Sequence, residues 1–213
     1  MREISIHKIG QAVGSYVAKK VSRLEQAQYL AYGAEILIGS IFKLSILFTI
    51  AIMMGVVIEV TVLLVVTGLI RTLSGGAHCS TYYRCLVASV LTLSVLGYTI
   101  KATHPFVILL PASVLIGITA LAAYLYWRYA PQAPLNKPFN SRRKELTFRW
   151  YTLVVVATLS SISIILGTKS LIAWTMAFAL LWQAFTLTPV GHSFIRLLDT
   201  LLTPNKKGGE AEC

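Results

Sequence analysis

The chain has 213 residues, 56% of them hydrophobic and 13% charged, with a mean hydropathy of +0.71. A soluble domain carries about a quarter charged residues, so this composition excludes an ordinary soluble enzyme and points to apolar helices that cross a membrane. The net charge of +11 comes without a basic stripe interleaved with aromatics, which removes nucleic acid from the expected partners.

Taken in chain order, the segment Met1–Glu25 has scattered charges and no continuous apolar core, so it does not read as a signal peptide. Ile6, Ile9, Val13, Val17, Val21 and Leu24 recur at helical spacing, with Lys8, Lys19 and Arg23 off that stripe. Residues 1–34 are therefore expected to hold an amphipathic helix lying in the headgroup region. Six apolar segments follow, at 36–54, 56–70, 82–100, 105–127, 150–167 and 170–188. A crossing helix needs about 20 residues. The second segment is short, with Glu59 near its start and Arg71 beyond its end. It is expected to tilt, to continue as helix through Leu73, or to be partly re-entrant. Phe194, Leu197, Leu198, Leu201 and Leu202 predict a second amphipathic helix over 189–204, ended by Pro204 and followed by a disordered tail over 205–213. The expected fold is all-α: one integral membrane domain with about six transmembrane helices over 36–188 and an interfacial helix at each end. No internal repeat is visible.

Lys and Arg mark the cytoplasmic side. All of the 19 basic residues except Lys43, Lys101 and Lys169 fall in the N-terminal stretch, beside the loop after the second segment, in the loop after the fourth, or in the C-terminal tail. Six spans with both termini in the cytoplasm fit this alternation.

Between the second and third segments lies a polar island, Arg71 to Cys85, containing Gly75, Gly76, His78 and Cys79. A thiol and an imidazole are the minimum equipment for covalent cysteine chemistry. On one continuous helix, residues 78 and 85 would share a face but lie about 10 Å apart. Cooperation between them therefore requires a bend, which Gly75-Gly76 can supply. Ser80 or Thr81 is expected to cap the third span. Cys85 would then sit in its first turns, where the helix end, Arg71 and Arg84 favour a thiolate. A metal site of His78, Cys79 and Cys85 lacks a fourth ligand, so no metal is expected. The three cysteines, Cys79, Cys85 and Cys213, form no disulfide framework. His7, His104 and His192 read as structural. The bland alternative is that Cys85 is simply a small apolar residue of a helix.

In these positions the sequence resembles the accessory gene regulator B (AgrB) family of bacterial membrane cysteine endopeptidases. The likeness rests on Arg71, Gly76, His78 and Cys85 in an R-x(4)-G-x-H-x(6)-C pattern. Tyr129-Ala130-Pro131, Asn136-Lys137-Pro138 and the basic run Arg142-Arg143-Lys144 strengthen it. The resemblance implies a protein of the bacterial cytoplasmic membrane that processes a small AgrD-type precursor peptide into a cyclic quorum-sensing signal. Cys85 would be the nucleophile and His78 the general base, with the site at the cytoplasmic face. Arg71 and Gly76 match positions needed for activity; Ser74 and Thr81 are candidates for a third catalytic member only by nearness. No cofactor is implied. Lys137, Arg142, Arg143 and Lys144 are candidates for holding an acidic segment of the precursor, against the simpler reading that they set topology. Membrane lipid is the second expected partner, and a homodimer is compatible with so small a protein. The rival class is a non-enzymatic transporter exporting a peptide or small solute, supported by Glu35, Lys43 and Glu59 in or beside the first two spans.

Overall fold

The structure, a computed structural model, describes residues 6–20, 25, 27–77, 79–132 and 141–202. All eight elements among them are helices: α1 (Ile6–Lys20), α2 (Ala27–Met54), α3 (Val57–Ser74), α4 (Tyr82–Val107), α5 (Ala112–Tyr129), α6 (Arg142–Leu166), α7 (Leu171–Phe185) and α8 (Pro189–Leu201). The chain divides into two compact units, residues 1–50 and 51–213.

In the first unit, α1 meets α2 through Gly10 and Gly14. A side chain at Gly14 would run into Ala31, and one at Gly10 would come within 2.9 Å of Glu35. Small residues let helices approach this closely where lipid provides no hydrophobic drive to pair them. The predicted N-terminal helix is thus present over 6–20; Val21, Arg23 and Leu24, also assigned to it, lie outside the described residues.

The second unit is built around α7, which packs against α3, α4, α5 and α6. Ala173, Ala177, Ala179 and Ala184 are buried along α7 together with Trp174, Leu180 and Gln183. Its small side chains admit neighbours, and interhelical hydrogen bonds lock them. Tyr126 Oη donates to Leu180 O over 3.1 Å, and Ser163 Oγ to Ala173 O over 2.8 Å. A helix apolar all round belongs inside a bundle. In contrast, large apolar side chains such as Met53, Val65, Val95 and Ile165 remain exposed on the surrounding helices, as a lipid-facing surface requires. The protein is a multi-pass membrane protein.

The predicted spans are met in part. Four helices, α2, α3, α4 and α6, are long and apolar enough to cross a membrane, and a fifth is reached if α7 and α8 count as one broken span. α3 runs through Ser74, as the continuation past Arg71 anticipated, giving 18 residues and a length of about 27 Å. α5 has 18 residues but carries Tyr124, Trp127 and Arg128 in its final turns. α7 has only 15 residues and is separated from α8 by an 86° bend. At about 22 Å, α7 is shorter than the hydrocarbon core. The boundary between the third and fourth segments also moves. α4 continues through Pro105 to Val107, because a proline this near a helix end sacrifices only one bond of the last turn. The connection to α5 is Ile108–Pro111.

Candidate active site

One end of the second unit collects the C-termini of α3, α5 and α7 with the N-termini of α4 and α6. The island between α3 and α4 closes this end. Gly75 and Gly76 both have positive φ, +73° and +137°, backbone that L side chains rarely adopt. Crowding adds to that demand. A Cβ on Gly75 would collide with Gln132 O, and one on Gly76 would lie 3.1 Å from Thr186 Oγ1 and 3.3 Å from Gln183 Nε2.

Backbone polar groups at a buried chain reversal must find partners, and here they come from far along the sequence. Gln132 N–H donates to Ser74 O over 2.8 Å, and Gln183 Nε2 donates to Gly75 O over 3.0 Å. Ala77 N–H donates to Thr186 O over 3.4 Å, and Arg71 Nη2 to Ala77 O. Gln132 itself is fixed, with Nε2 donating to Leu187 O over 2.6 Å and Oε1 lying 2.9 Å from His192 Nε2. The Ala130–Pro131 peptide before it is cis. Gln183 is 1% exposed, so its amide is committed to this loop rather than to solvent.

Cys85 lies in the first helical turn of α4, its N–H donating to Thr81 O over 3.0 Å. The thiol is partly exposed, 4.0 Å from Ser89 Oγ, whose hydroxyl donates to Cys85 O. Cys79 lies beside it, and the Arg71 guanidinium is near enough to both thiols to act on them electrostatically. Burial pushes the Cys79 thiol above its ordinary range. The neighbouring Cys85 and Asp199 push the same way, while Arg71 opposes them. Cys79 therefore stays a neutral thiol at neutral pH.

The expected cap is different in kind. Thr81 occupies the N-cap position of α4 without a side-chain hydrogen bond to the helix. Ser80 is engaged elsewhere: its N–H donates to Asp199 Oδ1 over 3.2 Å, and its hydroxyl accepts from Arg84 Nη1 at 3.0 Å. Asp199 and Arg84 form an ion pair at 3.6 Å. The hydrogen bonds from Ser80 hold the Asp199 carboxyl below its usual range, with Arg84 assisting.

The site residues expected from sequence are thus distributed as follows. Arg71, Gly75, Gly76 and Cys85 share one end of the bundle, while His78 lies outside the described residues. Ser74 is buried, and its hydroxyl turns to Gly75 O. Arg142, Arg143 and Lys144 form the exposed first turn of α6, capped by Ser141, which accepts from Arg143 N–H. Lys137 and the Asn136-Lys137-Pro138 motif lie outside the described residues, as do Pro204 and the predicted tail. Of the transporter-type charges, Glu59 is buried in α3. Sequence reasoning missed the part that Gln132, Gln183, Thr186, His192 and Asp199 play around this loop. A lone glutamine inside the apolar run of α7 was the available signal, since polar side chains in spans mark function or interhelical bonding.

The family model described as accessory gene regulator B matches residues 8–187. The chain belongs to the accessory gene regulator B family. AgrB-like protein 2 of Clostridium perfringens (strain 13 / Type A) is 23% identical over 206 residues, covering 88% of this chain and 95% of the relative. An AgrB-like protein of Clostridium perfringens strain SM101 is 24% identical, covering 83% of this chain and 87% of the relative. One from Halalkalibacterium halodurans is 22% identical, covering 91% and 90%. No solved structure matches. The family assignment thus agrees with the resemblance carried by Arg71, Gly76, His78 and Cys85.

Proposed function

We propose that this AgrB-family protein is a membrane cysteine endopeptidase. It removes the C-terminal part of a small AgrD-type precursor peptide and promotes cyclisation of the remainder into a quorum-sensing autoinducing peptide. The observation that carries this reading is the meeting of a partly exposed Cys85 with Arg71 at a glycine-bent loop, bound in place by the buried Gln183 amide of α7 and by the backbone N–H of Gln132 beyond the end of α5. So much long-range bonding around one reactive side chain is what preorganisation of a nucleophile requires.

In this mechanism His78 takes the proton from Cys85 Sγ as the sulfur attacks a peptide carbonyl of the precursor, then returns it to the leaving amine. The C-terminal fragment departs, and the N-terminal part remains as a thioester on Cys85. A Cys or Ser side chain within that same peptide attacks the thioester carbonyl, releasing the Cys85 thiol and closing a thiolactone or lactone. Tethering favours this nucleophile over water through effective concentration, and a site at the bilayer edge limits hydrolysis further. Arg71 is tied to Ala77 O and stands by both thiols, which suits a residue that shapes the loop and adds positive potential.

The run Arg142-Arg143-Lys144 is proposed to bind an acidic segment of the precursor. Three cations in the first turn of a helix oppose its macrodipole, so their position is costly for α6 itself and favours an anionic ligand. The protein would reside in the cytoplasmic membrane as a single domain of up to six spans, with both termini and the site on the cytoplasmic side.

The test is to incubate the purified chain in lipid nanodiscs with its precursor and weigh the released peptides. The reading expects a C-terminal fragment and a product lighter by one water than the corresponding linear acid. An intact precursor alongside folded, precursor-bound protein would instead favour the transporter reading, for which the buried Glu59 is the supporting observation.

A further inference from the structure

On one straight helix, side chains six residues apart would point about 120° away from each other and lie about 9 Å apart along the axis. Cys79 and Cys85 have that spacing, but the chain turns between them. Thr81 is extended, with φ −128° and ψ 154°, and Cys85 N–H donates to its carbonyl at the start of α4. The turn is held from outside. Asp199 of α8 accepts Ser80 N–H at 3.2 Å, Arg84 donates to the Ser80 hydroxyl at 3.0 Å, and Arg84 pairs with Asp199 at 3.6 Å. These bonds fix the residue that follows Cys79, and the two thiols are left in hydrogen-bond contact with each other.

Both sulfurs are partly exposed, so a small oxidant reaches them from solvent. Acyl transfer at Cys85 has no use for a second thiol, but oxidation does. A disulfide has its sulfurs about 2.0 Å apart, and forming one here draws together two that already touch. At a cytoplasmic face, where thiols are kept reduced, such a bond is transient rather than structural.

We propose that Cys79 is the resolving thiol of Cys85: a hydroperoxide oxidises Cys85, and a Cys79–Cys85 disulfide then closes the site reversibly and guards the nucleophile against further oxidation. The loss of cleavage that follows rests on the endopeptidase reading; the pairing of the thiols does not. In the first step Cys85 Sγ attacks the peroxide, the O–O bond breaks, and a sulfenic acid forms as water leaves. In the second, Cys79 Sγ attacks the sulfenic sulfur, the S–O bond breaks, and the Cys79 proton departs with the hydroxyl as a second water. Two thiols and one hydrogen peroxide thus give one disulfide and two waters, with two electrons passing from sulfur to oxygen. Thiols oxidise through the thiolate. Burial keeps Cys79 neutral, which makes it the second sulfur to react, and contact compensates through effective concentration. A dithiol reductant returns both thiols.

The test treats the full-length protein in nanodiscs with hydrogen peroxide, blocks the remaining thiols with N-ethylmaleimide, and maps tryptic peptides by mass spectrometry. Cutting after Arg71, Arg84 and Lys101 puts the two cysteines on separate peptides, 72–84 and 85–101. The proposal expects these two peptides linked within one wild-type chain, lighter by two hydrogens than their sum and separated by dithiothreitol. Precursor cleavage on the same samples should fall in proportion to the linked fraction and return on reduction. Cys79→Ser should cleave before oxidation, then lose activity to a sulfinic or sulfonic acid on Cys85 that dithiothreitol does not reverse. Four results would each overturn the proposal: Cys85 untouched by peroxide, oxygen gained on Cys85 without the linked peptide, links only to Cys213, or full cleavage by linked protein. Failure of the reduced wild type to cleave sinks the endopeptidase reading, while the peptide map still decides whether Cys79 resolves Cys85.

Discussion

The two ends of the second unit are closed in opposite ways. At one, the chain reverses through local bonds. Leu109 and Leu110 N–H reach back three residues to Phe106 O and Val107 O, and Gly167 and Ser170 do the same to Ile164 O and Gly167 O. Apart from Lys101 donating to Gly55 O, those turns use little that is distant in sequence. At the other end, the 75–81 loop is held by Gln132, Gln183, Thr186 and Asp199. A turn that satisfies itself only connects helices. A loop that recruits partners across more than a hundred residues is held in a particular shape, and that is the end where Cys85 lies.

The comparison breaks most sharply at Cys85. Cys85→Ala is expected to lower precursor cleavage by at least roughly 10³-fold, as loss of a nucleophile does. Cys79→Ala should leave cleavage within about threefold, because its neutral thiol only neighbours the chemistry. Quantifying released C-terminal peptide by mass spectrometry checks both.

A matched pair of glycines sharpens the contrast next. Gly75 and Gly167 have nearly the same φ, +73° and +75°, but Gly75 is crowded by Gln132 while nothing lies within 4 Å of a side chain built on Gly167. Gly167→Ala should cost only the backbone strain of about 1–3 kcal/mol. Gly75→Ala should cost that and the collision, lowering the thermal midpoint further and abolishing cleavage. Equal midpoints in a detergent-solubilised melt would mean that the two ends are not built differently.

Gln183→Leu removes a buried donor and leaves Gly75 O only the longer bond from the Ser74 hydroxyl, for an expected loss of about 1 kcal/mol. Cleavage should fall more than the melting midpoint implies if the loop shape matters. Reversing Arg142, Arg143 and Lys144 to Glu is expected to raise KM for precursor about tenfold with kcat little changed, the mark of lost ground-state binding. The effect should shrink at high salt. Insertion, followed by membrane fractionation, should stay intact. The smallest effect concerns pH. Because Asp199 is held below its usual range, its contact with Ser80 contributes stability above the unfolded carboxylate range and loses it as pH falls through the lowered value. Amide exchange at Ser80 should accelerate only on that acid side.

The sequence carried the local part of this picture and missed the long-range part. Arg71, Gly76 and Cys85 were legible because a polar island between apolar runs is visible in one dimension, and the glycine pair announced the bend. The helices were legible for the same reason, although the segment expected to begin at residue 105 starts as α5 only at Ala112 and α7 proved too short to span alone. Gln132, Gln183 and Asp199 were not legible, since each is a single polar residue whose meaning depends on which helix end it meets. His192 read as structural, and the structure pairs it with Gln132. Ser80 and Thr81 looked like a cap because their types suit one. The carboxylate of a distant helix had already engaged Ser80.

Intact-mass spectrometry of the nanodisc-embedded chain mixed with precursor tests the central claim most directly. Wild type and Cys79→Ala are expected to gain transiently the mass of the N-terminal peptide fragment as a thioester, and Cys85→Ala to gain nothing. An adduct that persists in Cys85→Ala, or cleavage without any adduct on folded wild type under rapid quench, would contradict Cys85 as the nucleophile.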